Sequence, residues 1–180
     1  FYATKYSANA SAEAKTLYVD YGIESEELDR DDVDDKTLPG RIAVMEIGSP
    51  DGIHPHSEFI AYHDLQLRIE NLQKKGAKGV ILIDSKEQTR DPEKEYKSIT
   101  ATDIPVIFVS DAEYAKDLRK TRAAKFTVTQ HEKSIKAYNL GGLLNNEAKK
   151  TVVIGAHYHH LGIGGAGPLF RGEEPEIPNE

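Results

Sequence analysis

Along the chain, unbroken apolar runs alternate with segments whose apolar positions recur every three or four residues. Arg41-Ile42-Ala43-Val44-Met45-Glu46-Ile47-Gly48 and Gly79-Val80-Ile81-Leu82-Ile83-Asp84 are of the first kind, the pattern of strands covered on both faces. Ile104-Pro105-Val106-Ile107-Phe108-Val109 is a third, with Pro105 confined to its start or to an edge because it cannot donate to a ladder. Between the first two, Phe59, Tyr62, Leu65, Ile69 and Leu72 fall on one face of a helix over residues 57–75. Lys74 and Lys75 suit its negative end and Gly76 is a natural stop. Ser110, with Glu113 three residues on, has the form of a capping box for a second helix reaching about residue 121. Lys125-Phe126-Thr127-Val128-Thr129 reads as a strand, and so does Leu17-Tyr18-Val19-Asp20-Tyr21-Gly22-Ile23, ending at its glycine. Residues 1–16 are small and polar, a frayed entry or a weak helix. The sum is a sheet carrying crossover helices.

After His131 the pattern changes. Residues 135–144 and Thr151-Val152-Val153-Ile154-Gly155-Ala156 read as two strands around a polar turn, and a loop rich in glycine and proline follows. Two strands cannot bury their own apolar faces. Residues 1–130 are therefore expected to form one domain and 131–180 the start of a truncated second. The expected fold class is α/β (α+β), an open sheet or barrel with flanking helices followed by the first strands of another α/β unit. Strands 135–144 and 151–156 would then have unpaired backbone groups that invite self-association.

Composition narrows the partners. Twenty-three basic residues against 30 acidic ones leave a net charge of −7, which disfavours nucleic acid and anionic membrane surfaces. No apolar run reaches the ~20 residues needed to cross a bilayer. With no cysteine in the chain, disulfides and thiolate sites are excluded, and any metal must be held by His, Asp or Glu. Eight acids crowd residues 24–35, with Arg30 the only base. That stretch lacks the sixth-position glycine and twelfth-position glutamate of a calcium loop, so it reads as a solvated acidic loop. Asn9-Ala10-Ser11 fits a glycosylation acceptor. There is neither a glycine-rich phosphate loop nor a Gly-x-Ser-x-Gly elbow.

The seven histidines fall mostly into two clusters. His54, His56 and His63 could ligate zinc, or could be polar residues of a loop and helix start. His157 and His159 directly follow the apolar run 151–156, at the carboxyl end of a strand where open sheets bind ligands. On an extended chain their side chains share a face. A histidine-rich edge loop, or a self-contained metal site of His157, His159 and His160, are the alternatives.

Thr151-Val152-Val153-Ile154-Gly155-Ala156-His157-Tyr158-His159-His160-Leu161-Gly162 resembles the metal-site segment of zinc-dependent aminopeptidases, which reads Val-Val-Ile-Gly-Ala-His-Tyr-Asp-His-Leu-Gly. Upstream, Leu38-Pro39-Gly40-Arg41-Ile42-Ala43-Val44, then Lys75-Gly76-Ala77-Lys78-Gly79-Val80-Ile81, then Ile104-Pro105-Val106 resemble protease-associated domains in the expected order. The resemblance implies a secreted or periplasmic zinc metallo-aminopeptidase that hydrolyses the N-terminal bonds of a peptide or protein substrate. Residues 1–130 would be its accessory domain, near the substrate entrance, and 131–180 the N-terminal fragment of the catalytic domain. It implies that His157 is a ligand of one of two zinc ions. Position 159, aspartate in the family and His159 here, would orient the ligand imidazole; losing such a partner costs about 10–100-fold in metal affinity or activity. The bridging aspartate, the general-base glutamate and the other ligands are expected beyond Glu180. No catalytic residue is then expected in this chain, which by itself would be inactive and bind no zinc. The alternative is a non-enzymatic protease-associated module that binds peptide or protein, from a degenerate peptidase homologue.

Overall fold

Each of the three apolar runs has side chains enough for two apolar layers, and together they form the centre of one sheet. The computed structural model describes residues 1–33, 37–87, 92, 99–131, 136, 141–144, 150 and 152–156. Its strands are β1 (Tyr2–Ala3), β2 (Ser11–Tyr18), β3 (Glu24–Ser25), β4 (Arg30–Asp31), β5 (Ile42–Glu46), β6 (Gly79–Ile83), β7 (Val106–Val109) and β8 (Ala123–Thr127). Helix α1 (Leu65–Lys74) joins β5 to β6, and α2 (Ala112–Leu118) joins β7 to β8. Six strands make one sheet in the order β1-β7-β6-β5-β2-β8. The four central strands run parallel, and both edges, β1 on β7 and β8 on β2, are antiparallel. This is the mixed α/β architecture expected from the pattern.

The period of two along β5 sorts its side chains into two layers. Ala43 and Met45 join Leu65, Ile69 and Leu72 of α1, whereas Ile42 and Val44 join Ala115 and Leu118 of α2. Burying one such large aliphatic side chain stabilises by about 1.5–3 kcal/mol, so the two layers together hold the sheet between the helices. One charge sits within the α1 layer. Arg68 is fully buried and donates to the carbonyls of Tyr21, Glu46, Ile47 and Gly48 at 2.9, 3.2, 2.8 and 3.2 Å. It fastens the chain where β5 ends.

Several boundaries differ from the pattern, each for a local reason. Residues 1–16 contribute β1 and most of β2. Within β2 only Ala12 and Thr16 are buried, so pairing with β5 and β8, not apolar content, makes the strand. The helix expected over 57–75 is divided into a 3₁₀ turn (Ile60–Tyr62) and α1. Asp64 breaks it with an extended backbone (φ −74°, ψ 109°), and its carboxylate caps Gln66 N. Asp111, not Ser110, caps α2, accepting from Tyr114 N at 2.8 Å. Gly76, at φ +87°, ends α1 as expected. Within the acidic segment 24–35, β3 and β4 form a short antiparallel pair, while Glu26, Glu27 and Asp29 remain exposed to solvent.

Contacts divide the chain into Phe1–Ser134 and Ile135–Glu180. In the second unit, residues 141–144 and 152–156 carry no strand, which corrects the expectation for those positions; the rest of 135–144, and residue 151, lie outside the described residues. An apolar run is held in a ladder only by a neighbour to pair with, and the pattern identifies the run but not its partner. Leu143, Leu144, Val152, Val153 and Ile154 are exposed.

Candidate functional site

The carboxyl ends of the parallel strands gather a cluster of polar side chains on the α2 side of the sheet. Glu46 lies two residues beyond Val44, so the strand period turns it into that layer. Its side chain is 2% exposed. The carboxylate accepts from Ser85 N at 3.0 Å, from Ser85 Oγ, and from the Tyr18 hydroxyl at 3.4 Å. Burial pushes this carboxyl above its ordinary value, against the pull of the Ser85 hydrogen bonds, Arg119 and Lys86. Tyr18 closes β2, and its hydroxyl also donates to Asp20 Oδ1 at 3.0 Å. Burial, with Glu46 and Asp20 alongside, pushes the phenol upward, so Tyr18 stays a donor.

Arg119, just past the end of α2, lies over the Tyr18 ring, with its guanidinium carbon 4.7 Å from the centroid and Nε 4.0 Å from Glu46 Oε1. Tyr18, Arg119, Lys116 and Lys120 line an open cavity of about 470 Å³. Beside it, Asp20 adopts φ +42° and receives Arg30 Nη2 at 2.7 Å. Arg30 Nε lies 2.9 Å from Asp32 Oδ1, and the guanidinium stands 5.3 Å from the Tyr21 ring centroid. Lys86 Nζ donates to the Tyr21 hydroxyl at 2.6 Å.

The sequence profile of the PA (protease-associated) domain matches residues 4–116. The chain belongs to the PA domain family. No curated protein matches it. The match runs from the second residue after β1 begins into α2, so the PA domain contains the entire parallel sheet and the Tyr18, Glu46 and Ser85 cluster. Arg119 and Lys120 lie a few residues beyond the matched region, which ends at Lys116. The three upstream segments that resembled protease-associated domains all lie within it.

The PA domain also holds the first histidine cluster, in the loop between β5 and α1. Ser57 Oγ donates to Asp51 Oδ1 at 2.7 Å, His63 Nε2 lies 3.1 Å from the same oxygen of Ser57, and His54 Nε2 lies 3.1 Å from the Asp51 carbonyl. These residue types suggest a catalytic triad, but their order does not suit one. The Ser57 proton is committed to Asp51, so His63 cannot take it as a base would. Burial would raise the Asp51 carboxyl, yet the Ser57 and Ser49 hydroxyls and the Glu58 N–H hold it at about 2. The three imidazoles do not form a metal site: among the described residues no group of three His, Cys, Asp or Glu could hold an ion. The loop is a hydrogen-bonded turn.

His157, His159 and His160 lie outside the described residues. The Asn9 amide is clipped to Gln130, donating to its carbonyl at 2.9 Å and accepting from its N–H at 2.6 Å. Neither Glu46 nor Arg119 stood out in the sequence. The available signal was a charge at an inward-facing position of an apolar strand, which requires the strand's phase to be known.

Proposed function

We propose that this chain is the accessory PA module of a secreted or periplasmic zinc metallo-aminopeptidase, with residues 131–180 belonging to the catalytic part. One conjunction carries the reading. The PA domain match over 4–116 is followed in the same chain by residues 151–162, which resemble the metal-site segment of zinc aminopeptidases. In this reading His157 ligates zinc, His159 occupies the place of the family's orienting aspartate, and the PA module meets the peptide or protein substrate without taking part in hydrolysis. Glu46, Ser85 and Tyr18 form a hydrogen-bonded cluster beneath an open cavity, which supports a binding role. In the complete site, bound zinc would supply an activated water and polarise the scissile carbonyl.

The test is the coding sequence after Glu180, together with zinc content and amino-acid release from amino-acid amides by the full gene product. A Gly-Ala-Asp-Asp-Asn run followed by a Glu-Glu pair, with bound zinc and release, is the expected result. A stop codon directly after Glu180 would overturn it.

His159 specifically favours a second reading, a non-enzymatic PA module that binds peptide or protein. A neutral imidazole brings no negative charge to a position where the family uses a carboxylate. Full-length protein that takes up no stoichiometric zinc and releases no amino acid would select this reading over the first. Among the described residues no helix is long and apolar enough to cross a membrane. We further propose self-association through residues 135–144 and 151–156, which the exposure of Leu143, Leu144, Val152, Val153 and Ile154 supports. Sedimentation of the 180-residue chain is expected to show a concentration-dependent dimer, and a monomer at every concentration would refute it.

A further inference from the structure

We propose that the cavity over Tyr18 and Arg119 is a binding site for a peptide carboxylate borne on an acidic side chain. The proposal uses only residues of the sheet, of α2 and of the two positions past it, so it holds for either reading above. Positions 116, 119 and 120 share a face at helical spacing, and all three line the cavity with Tyr18. Arg119 is held in place, its guanidinium resting on the Tyr18 ring and its Nε 4.0 Å from buried Glu46. Its side chain is nevertheless 39% exposed. A planar guanidinium fixed in this way loses little freedom when it takes a carboxylate through two parallel N–H bonds.

Charge decides which anion fits. Lys116 is offset by Glu113 at 2.7 Å, and Arg119 is partly offset by Glu46. Among the described residues Lys120 has no ion-pair partner. Lys120 is therefore the one lining cation without a carboxylate beside it, a single positive charge that the roughly half negative charge of a helix C-terminus partly offsets. That suits a carboxylate rather than a phosphate of about −1.5 to −2. The chain carries −7 overall, but at physiological salt charges beyond about 8 Å are largely screened, so the local cations set the preference.

The test uses the 180-residue chain and three probes: acetyl-Ala-Ala-Glu-Ala-Ala-amide, the same peptide with Gln for Glu, and inorganic phosphate. Binding is followed by calorimetry and by the Nε resonance of Arg119. The Glu peptide is expected to shift that resonance and to bind about tenfold more tightly than the Gln peptide, with phosphate weaker than the Glu peptide. Lys120→Glu, at an exposed position, is expected to weaken the Glu peptide by about tenfold with an unchanged melting temperature. Arg119→Gln is expected to abolish the preference for Glu over Gln. Equal binding of the two peptides, tighter binding of phosphate, no binding of any probe, or indifference to Lys120→Glu would each overturn the proposal.

Discussion

Two buried charges stand near the carboxyl end of β5, one on each side of the sheet, and they are satisfied in opposite ways. Arg68, on the α1 side, gives its hydrogen bonds to four main-chain carbonyls. Glu46, on the α2 side, is held by the side chains of Ser85 and Tyr18 and by one backbone N–H, with Arg119 4.0 Å away. A cation answered by fixed carbonyls within a buried apolar layer can only brace the chain around it. A carboxylate answered by side chains beneath an open cavity can instead hold a partly exposed group in place, as it does Arg119. Burial of a charge alone therefore does not tell a brace from a candidate site; the kind of partner and the access to solvent do.

The strongest test of this comparison removes the brace. Arg68→Met keeps much of the volume but leaves buried carbonyls without donors, each costing about 1–3 kcal/mol. Since some of those groups will find water or relax, we expect a loss of about 3–5 kcal/mol in urea unfolding. A loss below about 1 kcal/mol would show that the carbonyls are satisfied some other way.

The next effect tests how rigid the α1 side is. Gly22 adjoins Tyr21, one of the carbonyls Arg68 holds, and sits at φ +65° where an added Cβ would meet Met45 Sδ at 2.6 Å. Gly22→Ala combines a disfavoured backbone with overpacking and should cost about 1–3 kcal/mol, read as a lowered urea midpoint.

Glu46→Gln should be milder, within about 1 kcal/mol of wild type at neutral pH, because the amide oxygen can still accept from Ser85. The pH dependence is the sharper readout. The folded carboxyl titrates above its ordinary value of 4.5, so the unfolded chain releases this proton first. Its contribution to stability is complete below pH 4.5 and declines as pH rises through the folded value. Wild type should therefore lose stability relative to Glu46→Gln over that window, and parallel pH profiles would contradict the burial argument.

The smallest effect belongs to the β5–α1 loop. Asp51 titrates at about 2 against an ordinary 3.8, the reverse case, so its contribution is present above pH 3.8 and is lost as pH falls towards 2. Asp51→Asn should flatten the acid limb of the melting-temperature profile between those values and leave the neutral region nearly unchanged.

The centre of the fold was legible because its cause is local. Val80, Ile81, Leu82 and Ile83 can only be a strand buried on both faces or a core helix segment, and the flanking Gly79 and Asp84 decide for the strand. Gly76 and the apolar face of Leu65, Ile69 and Leu72 were equally readable. The start of β2 was not, because Ser11 to Lys15 offers small and charged side chains, and only pairing with β8 makes it extended. Nor was the candidate site. Nothing near Arg68 in the sequence marked it as buried, Glu46 lay within a strand-like run, and Arg119 fell in the second expected helix with nothing to mark it.

The sequence by itself determined the apolar runs, the helix stop, the excess of acids and the absence of thiols, since the first two depend on residues within a few positions of one another and the last two are counts over the chain. Only the tertiary structure decided that residues 18, 46, 85 and 119 meet at the carboxyl ends of the parallel strands. Strand order and helix placement bring them together across the chain, and neither leaves a trace in local periodicity.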